Sequence, residues 1–369
     1  MIKTIGVIGG GQLARMMIPA AESLGIELKV LAESEDSSAK SSATMVGDYN
    51  DLAIVRAFAK TVDVITFDHE HVPLPIIETL EAEGFSFQPS SNALKFAQNK
   101  LEMRKRLTEL GLPMPAWAKV NTEADVQEFL DGHGGVAVLK TPTGGYDGKG
   151  VMVVRSVDDA KSWLSLGKPL LIEEKVNFVR ELAQLSARNA SGEWKSWPVV
   201  QTVQRDGVCS EVLSPAPNAD QIQAAMLAKR ISEGLQVTGN LAVEMFETES
   251  GILLINELAM RPHNSGHFSI EGSRTSQFEQ HLRAVADLAL GDTAPTKPFA
   301  VMVNLLGVDD NNTFVEHYTA TLEEAGVYFH GYGKTARKGR KMAHITVLSD
   351  ESIDKAREIA LEAKRSLHA

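Results

Sequence analysis

The chain contains a single cysteine, Cys209, in 369 residues. One cysteine excludes an intramolecular disulfide and a cysteine-rich metal site, and Cys209 reads as a small packed residue. Long apolar runs are also missing: none approaches the ~20 residues that span a bilayer. Met1-Ile2-Lys3-Thr4 leads straight into a strand pattern without signal-peptide character, so a cytoplasmic setting is expected. Excess positive charge is absent too, since the net charge is −11. General affinity for nucleic acid or anionic membrane needs basic surface and is excluded by that sign. Internal repeats and low-complexity segments do not occur. The length leaves room for two or three domains.

Against these absences stands a glycine-rich stretch, Lys140-Thr-Pro-Thr-Gly-Gly-Tyr-Asp-Gly-Lys-Gly150. Short apolar runs flank it, Val136–Leu139 and Val151–Val154, and both read as strands. Backbone N–H groups of such a loop form an anion-binding concavity, and lysines at both ends add charge. The expected structure is a hairpin that closes over a polyphosphate. It is no Walker A loop, because a strand follows instead of a helix and no Gly-Lys-Ser/Thr occurs at the required spacing.

At the start of the chain, strand Thr4–Ile8, turn Gly9-Gly10-Gly11-Gln12-Leu13, a helix over 14–21 and strand Glu27–Leu31 open a doubly wound α/β unit. Gly9, Gly11 and Ala14 match a dinucleotide fingerprint weakly, with Glu33 where a ribose-binding acid would sit. Strand Asp63–Phe67 ends in Asp68-His69-Glu70-His71, at the edge where open sheets take ligands; the two histidines satisfy only part of a metal shell, and polar substrate contact or plain surface is the stronger reading. Phe85–Pro89 reads as a last short strand. A long helix capped by Ser90 or Ser91 should run through Asn99-Lys100 to Leu110, and the Gly111, Pro113 and Pro115 break marks a boundary. Residues 1–95 then form one unit, 96–176 a small lid with the glycine loop, and 177–369 a C-terminal unit.

Further on, Pro169–Val176 is an apolar strand ending in Glu173 and Glu174, and acceptors and backbone groups at that point suit a purine edge. Helices are expected over 219–234 and 276–290. Between them, two apolar runs flank Ser250-Gly251. A two-residue turn there sets Glu244 directly opposite Glu257, with Cβ atoms about 5 Å apart. Like charges that close disfavour each other unless a cation lies between them, and oxygen ligands beside a polyphosphate indicate Mg²⁺. The alternative is two unrelated edge acids. Leu258–His267 is a polar loop with much hydrogen-bonding capacity. Finally, Lys334, Arg337, Lys338, Arg340 and Lys341 crowd a glycine-punctuated turn, a local phosphate pocket on an acidic chain.

Taken together, Gly-Gly-Gly-Gln-Leu at 9–13, Gly-Gly-Tyr-Asp-Gly-Lys-Gly at 144–150, Asn-Glu-Leu-Ala-x-Arg-Pro-His-Asn-Ser-Gly-His at 256–267 and Gly-Arg-Lys-Met-Ala-His at 339–344 resemble the N5-carboxyaminoimidazole ribonucleotide synthetase family. The motifs come in matching order and the resemblance covers essentially the whole chain. One departure is Asp68-His69-Glu70-His71, where relatives often carry a Glu-Phe-Glu-Asn-like segment. The resemblance implies an α/β ATP-grasp fold with a Rossmann-like N-terminal domain. It implies a ligase that joins bicarbonate to 5-aminoimidazole ribonucleotide at the expense of ATP, through carboxyphosphate. The cofactors would be ATP and Mg²⁺, with room for a second Mg²⁺ or a Mn²⁺, and a homodimer is the family's habit.

By the same resemblance, Lys100 and Lys140 hold nucleotide phosphates under the loop Gly145, Tyr146, Asp147, Gly148, Lys149, Gly150 and Val151. Glu173, Glu174, Lys175 and Val176 meet adenine. Glu181 meets the ribose, and Gln204, Asn256 and Glu257 complete the nucleotide site. Glu244 and Glu257 hold the metal. Tyr146, Asp147, Lys149 and Arg261 face the reacting groups. Gln12, Leu13, His263, Asn264, Lys334, Arg340 and Lys341 hold the aminoimidazole ribonucleotide. Three rivals stand beside this reading: a formate-using glycinamide ribonucleotide transformylase, a nicotinamide-dependent oxidoreductase or sensor built on Gly9–Gly11, and a non-enzymatic regulator.

Overall fold

The computed structural model describes residues 3–145, 150–307 and 326–367. The apolar run β1 (Thr4–Ile8) is buried along its length, as a central parallel strand must be. It pairs in parallel with β2 (Glu27–Ala32) on one side and β4 (Val64–Phe67) on the other; β3 (Ala43–Val46) adds to β2. The order β3-β2-β1-β4 reverses direction between β1 and β4. That reversal opens a crevice outside the carboxyl ends of these two strands. Helix α1 (Gln12–Leu24) leaves directly from the glycine turn after β1. Helices α2 (Leu52–Ala59) and α3 (Leu74–Ala82) complete the layer.

Two helices follow where one was expected, α4 (Ser91–Gln98) and α5 (Lys100–Glu109). The chain breaks at Asn99, which adopts an extended backbone (φ −132°). Its Oδ1 accepts the N–H groups of Leu101 and Glu102 at 3.0 and 3.3 Å. Asn99 with Glu102 three residues on is an N-cap signature that overrides the helical pattern. The break places Lys100 on a helix N-terminus, with its N–H donating to Pro142 O at 2.8 Å.

A four-stranded antiparallel sheet comes next, in the order β5 (Trp117–Val120), β8 (Leu170–Glu174), β6 (Ala137–Lys140), β7 (Val151–Val154). It is covered by α6 (Glu123–Gly132), with a Thr122/Asp125 capping box, and α7 (Val157–Leu164). Val126, Phe129, Leu139 and Ile172 belong to its own apolar cluster.

The remaining strands are β9 (Phe178–Arg188), β10 (Trp194–Ser196), β11 (Val200–Arg205), β12 (Val208–Ser214), β13 (Gly239–Thr248), β14 (Leu253–Ala259), β15 (Phe299–Leu306), β16 (Val327–Gly331) and β17 (Lys341–Ser349). They make one sheet ordered β14-β13-β9-β11-β12-β15-β17-β16, with β10 on β9 and every pairing antiparallel. Helix α8 (Gln221–Gly234), the short α9 (Ser269–Gly272), α10 (Gln277–Val285) and α11 (Ile353–Leu367) pack on it. The apolar core runs without interruption from Phe67 and Phe87 through Met103 and Leu107 to Ile231, Val243 and Ile255.

Two expectations fall short locally. Phe85–Pro89 makes only a single parallel bridge, Phe87 to Ile65. The helix expected over 276–290 ends at Val285, where Asp287 turns to φ +52°.

Candidate active site

The crevice beside β1 is built by Gly9–Gln12 and Asp68–His71. Gly9 takes φ +103°, and a Cβ at Gly11 would lie 2.1 Å from Asp68 Oδ2. Asp68 Oδ1 accepts the Ala14 N–H at 2.7 Å, in the first turn of α1. Glu33 Oε2 accepts the Gly10 N–H at 3.0 Å, and its other oxygen lies 3.1 Å from His69 Nε2. Burial alone would raise Glu33, but His69 and the Gly10 N–H hold it down at about 2. The backbone N–H groups and helix terminus that a pyrophosphate would use are therefore taken by internal carboxylates. This geometry overturns the dinucleotide reading and the ribose role of Glu33.

Glu70 reaches across to the loop after β14. Its two oxygens accept the Met260 N–H at 2.9 Å and Arg261 Nε at 2.7 Å. Burial works against the Arg261 charge, but Glu70 and Asp68 more than restore it. On the same side, Gln12 Oε1 accepts Lys334 Nζ from the basic turn, and Lys334 lies over the Tyr332 ring. Gln12, Arg261 and Lys334 thus come from three distant segments to one cleft. Lys341 bears electrostatically on Glu244 and His263 there. Arg340 Nη1 donates to Thr335 O at 3.0 Å and shapes the turn itself.

His263 belongs to the same cluster. Ser265 and its N–H stand at His263 Nδ1, and Nε2 lies 3.3 Å from Glu244 Oε1. Burial and nearby Arg261 push the ring down to about 3, so it is neutral and offers Nε2–H to Glu244. One substrate expectation is corrected: the Leu13 side chain is buried in the core between α1 and α10. Asn264 makes a reciprocal amide pair with Asn304, at 3.0 and 2.7 Å, which leaves it one further N–H and one lone pair.

The register places Glu244 opposite Glu257, as expected, but for a different reason. The turn is a three-residue connection, Glu249–Gly251, closed by Thr248 N–H to Ile252 O at 3.0 Å. Pairing near the turn is therefore one residue out, and a bulge at Asn256 restores it. The bulge also aims successive side chains into the cleft: Glu257 Oε1 accepts Lys100 Nζ, and Asn256 Oδ1 accepts Lys140 Nζ at 3.1 Å.

Glu181 joins this group from β9, hydrogen-bonded to Gln204; burial raises it, and its Oε2 is buried without a hydrogen-bond partner. Glu244 is a third exposed but sits deep in the cleft. Burial first, then Glu257 and Glu181, push its carboxyl up to about 7, against Lys100 and Lys341. Among the described residues no three His, Cys, Asp or Glu side chains converge as a metal shell. Mg²⁺ takes only one or two carboxylates and fills the rest with water and phosphate oxygens. A crowded, hard-oxygen pair fits that demand.

A pH dependence follows. Glu244 binds its proton up to about pH 7 in the fold, against 4.5 in the unfolded chain. Its contribution favours the fold below 4.5 and is lost as pH rises toward 7. A divalent cation held between Glu244 and Glu257 would compensate the ionised pair. Stabilisation by Mg²⁺ with nucleotide should therefore grow between about pH 5 and about pH 8. Glu244→Gln should flatten that rise. Thermal unfolding midpoints with and without Mg²⁺ check it.

The lysines stand close by. Lys140 Nζ lies 2.5 Å from Glu173 Oε2, and Arg104 Nε pairs with the other oxygen. Burial alone would raise Glu173, but these two cations hold it ionised. The Glu173 carboxylate is thus engaged by Arg104 and Lys140, which leaves the backbone groups of this strand end for a purine edge. Glu174 is tied as well, accepting the Ala116 N–H at 3.1 Å. Lys175 and Val176 lie in the connection between β8 and β9. At the base of the glycine loop, Thr141 N–H donates to Gly150 O at 3.0 Å. Gly150 has φ +71°, and a Cβ there would lie 2.4 Å from Thr141 Oγ1 and 3.3 Å from Gly145 Cα. Val151 pairs with Lys140. Tyr146, Asp147, Gly148 and Lys149 lie outside the described residues.

Arg104 and Glu70 are the groups whose roles sequence reasoning missed. Arg104 had a signal: it shares the stripe of Met103 and Leu107, and a cation on an apolar stripe marks a buried pair.

Comparison with known proteins matches this architecture segment by segment. The ribonucleotide synthetase preATP-grasp domain matches residues 2–98, the ATP-grasp domain 105–278, and the phosphoribosylaminoimidazole carboxylase C-terminal domain 300–358. The N5-carboxyaminoimidazole ribonucleotide synthase of Mycobacterium tuberculosis is 46% identical, over 94% of this chain and 84% of that one. The crystal structure of N5-carboxyaminoimidazole ribonucleotide synthetase from Thermus thermophilus superposes with TM-score 0.87. It is 36% identical and covers 98% of this chain and 97% of that one. The Aspergillus clavatus N5-carboxyaminoimidazole synthase, in complex with ADP and 5-aminoimidazole ribonucleotide, gives TM-score 0.89 and 32% identity over 99% and 98% of the two chains. The chain belongs to the N5-carboxyaminoimidazole ribonucleotide synthase family.

Proposed function

We propose that this cleft carries out the family's ATP-dependent carboxylation of 5-aminoimidazole ribonucleotide with bicarbonate, in purine biosynthesis. The observation behind the reading is convergence: a carboxylate pair and two lysines meet Gln12, Arg261, His263 and Lys334 in one cleft. Glu244 and Glu257 would hold Mg²⁺, which when bound neutralises charge on the nucleotide phosphates. Lys100 and Lys140 bring positive charge to the same phosphates. Phosphoryl transfer to bicarbonate needs this positioning and neutralisation more than covalent help from the chain. The amine of the ribonucleotide then attacks the carboxyl carbon of carboxyphosphate, and phosphate leaves with the amine proton. Arg261, fixed by Glu70, faces the anionic carboxyl group. Neutral His263 can donate through Nε2–H without competing for that charge. Gln12, Lys334 and Lys341 hold the 5′-phosphate, and Arg340 shapes their turn. Adenine falls to Glu173, Glu174, Lys175 and Val176, and ribose to Glu181 with Gln204.

The proposal extends to units at 1–95, 96–176 and 177–369, supported by the three separate sheets. It also includes a homodimer in the cytoplasm; among the described residues no helix is long and apolar enough to cross a membrane. Phosphate release from ATP should require both bicarbonate and the aminoimidazole ribonucleotide. Turnover with formate and glycinamide ribonucleotide instead would overturn the reading.

The basic turn offers a separate test. Gly307 N–H donates to Arg340 O, and Gly339 N–H donates to Gly307 O, both at 2.8 Å. A Cβ at 307 would lie 2.3 Å from the Arg337 carbonyl oxygen, which is backbone and cannot swing aside. Gly307→Ala should shift the turn and raise KM for the aminoimidazole ribonucleotide about tenfold or more. KM for ATP should hold. Steady-state kinetics with each substrate varied in turn check this.

A further inference from the structure

We infer that Arg104 is a positioning residue, holding a nucleotide-phosphate lysine and the metal-carboxylate bulge at a fixed separation. The inference rests on the roles proposed above for Lys140 and Glu257. Arg104 is fully buried on α5. Its Nε donates to Glu173 Oε1 on β8, in the lid sheet. Nη1 and Nη2 donate to Ile255 O and Asn256 O on β14, each at 2.8 Å. Those carbonyls flank the Asn256 bulge, where regular ladder pairing is interrupted. The second Glu173 oxygen takes Lys140, and Lys140 reaches back to the Asn256 side chain. A closed ring results: Arg104, Glu173, Lys140, Asn256 and again Arg104. The lid sheet has its own apolar cluster, so this polar ring ties Lys140 to a strand of another sheet.

Chemistry favours a geometric role. A buried ion pair adds little net stability over apolar residues of similar size. What a guanidinium supplies is a rigid fork of donors in fixed directions, which an ammonium cannot reproduce. Here the fork spans a carboxylate in one sheet and two carbonyls in another. Without it the bulge is free to relax, and Glu257 loses its register against Glu244 while Lys140 loses its anchor.

Two full-length variants test the idea. Arg104→Lys keeps the charge but not the fork. The second variant, Arg104→Gln, removes both the charge and the fork and leaves Glu173 paired with Lys140, so no charge is stranded in the interior. Both should fold, with thermal midpoints near that of the parent chain. Both should raise KM for ATP and the Mg²⁺ concentration for half-maximal activity about tenfold to a hundredfold. KM for the aminoimidazole ribonucleotide should stay unchanged. Calorimetric binding of MgADP should weaken in parallel, a readout that needs no turnover. A folded variant with unchanged MgADP affinity and Mg²⁺ requirement overturns the inference. So does an equal rise in all three substrate constants, which would indicate general loosening. Failure of both variants to fold would assign Arg104 to folding and overturn it as well. The parent chain separates this from the functional reading: normal MgADP binding without bicarbonate-dependent turnover would sink the reaction assignment and leave the Arg104 test intact.

Discussion

Glu257→Gln should lower turnover about a hundredfold or more while the chain stays folded. Glutamine keeps the shape and still accepts Lys100 Nζ, the bond that Glu257 Oε1 makes now. Only the charge is lost. Because Glu257 is the largest charged contributor raising Glu244, the Glu244 carboxyl should titrate lower in the variant. The thermal midpoint should hold or rise, since a like-charge contact is relieved. Stopped-flow phosphate release and an unfolding scan on one preparation check both halves. Near-normal turnover would remove the metal role from this residue.

Arg261→Met should act on a different step. It strips Glu70 of its cation and leaves that nearly buried carboxylate with the Met260 N–H alone, costing about 1–3 kcal/mol of stability. Carboxylation of the ribonucleotide should fall about a hundredfold or more, because the charge proposed to face the reacting carboxyl group is gone. MgADP should bind as before, since the guanidinium contacts Glu70 and Pro262 and takes no part in the Lys100 and Lys140 contacts. Product formation and nucleotide binding, measured side by side, separate the effects. Loss of MgADP binding in this variant would mean that Arg261 serves the nucleotide and not the carboxyl group.

Much of this was readable in residue order because it depends on local pattern. Apolar runs bounded by glycine and proline gave the strands of the N-terminal sheet and of the glycine hairpin. The acidic pair was legible because a hairpin fixes register over a short distance. The bulge was not: nothing in Leu254-Ile255-Asn256-Glu257 separates a skipped residue from a shorter turn, and the two alternatives give the same facing pair. Long-range polar partners were also hidden. Glu33 could be assigned to ribose only until its distance to Gly10 N–H was known. That the Glu173 carboxylate is ion-paired stayed hidden, because the sequence cannot show Arg104 arriving from 69 residues earlier. Leu13 sits in a motif of exposed function, yet α1 turns it toward α10. The split at Asn99 was announced by its own capping pattern, which the apolar periodicity outweighed.

The proposed chemistry turns on the two facing glutamates of β13 and β14. Crystals grown with Mn²⁺ and ADP, followed by an anomalous difference map at the manganese edge, address them directly. The expected result is a peak bonded to carboxylate oxygens of both Glu244 and Glu257 and to a nucleotide phosphate. Manganese bound elsewhere, with those carboxylates still facing only Lys100 and His263, would contradict it.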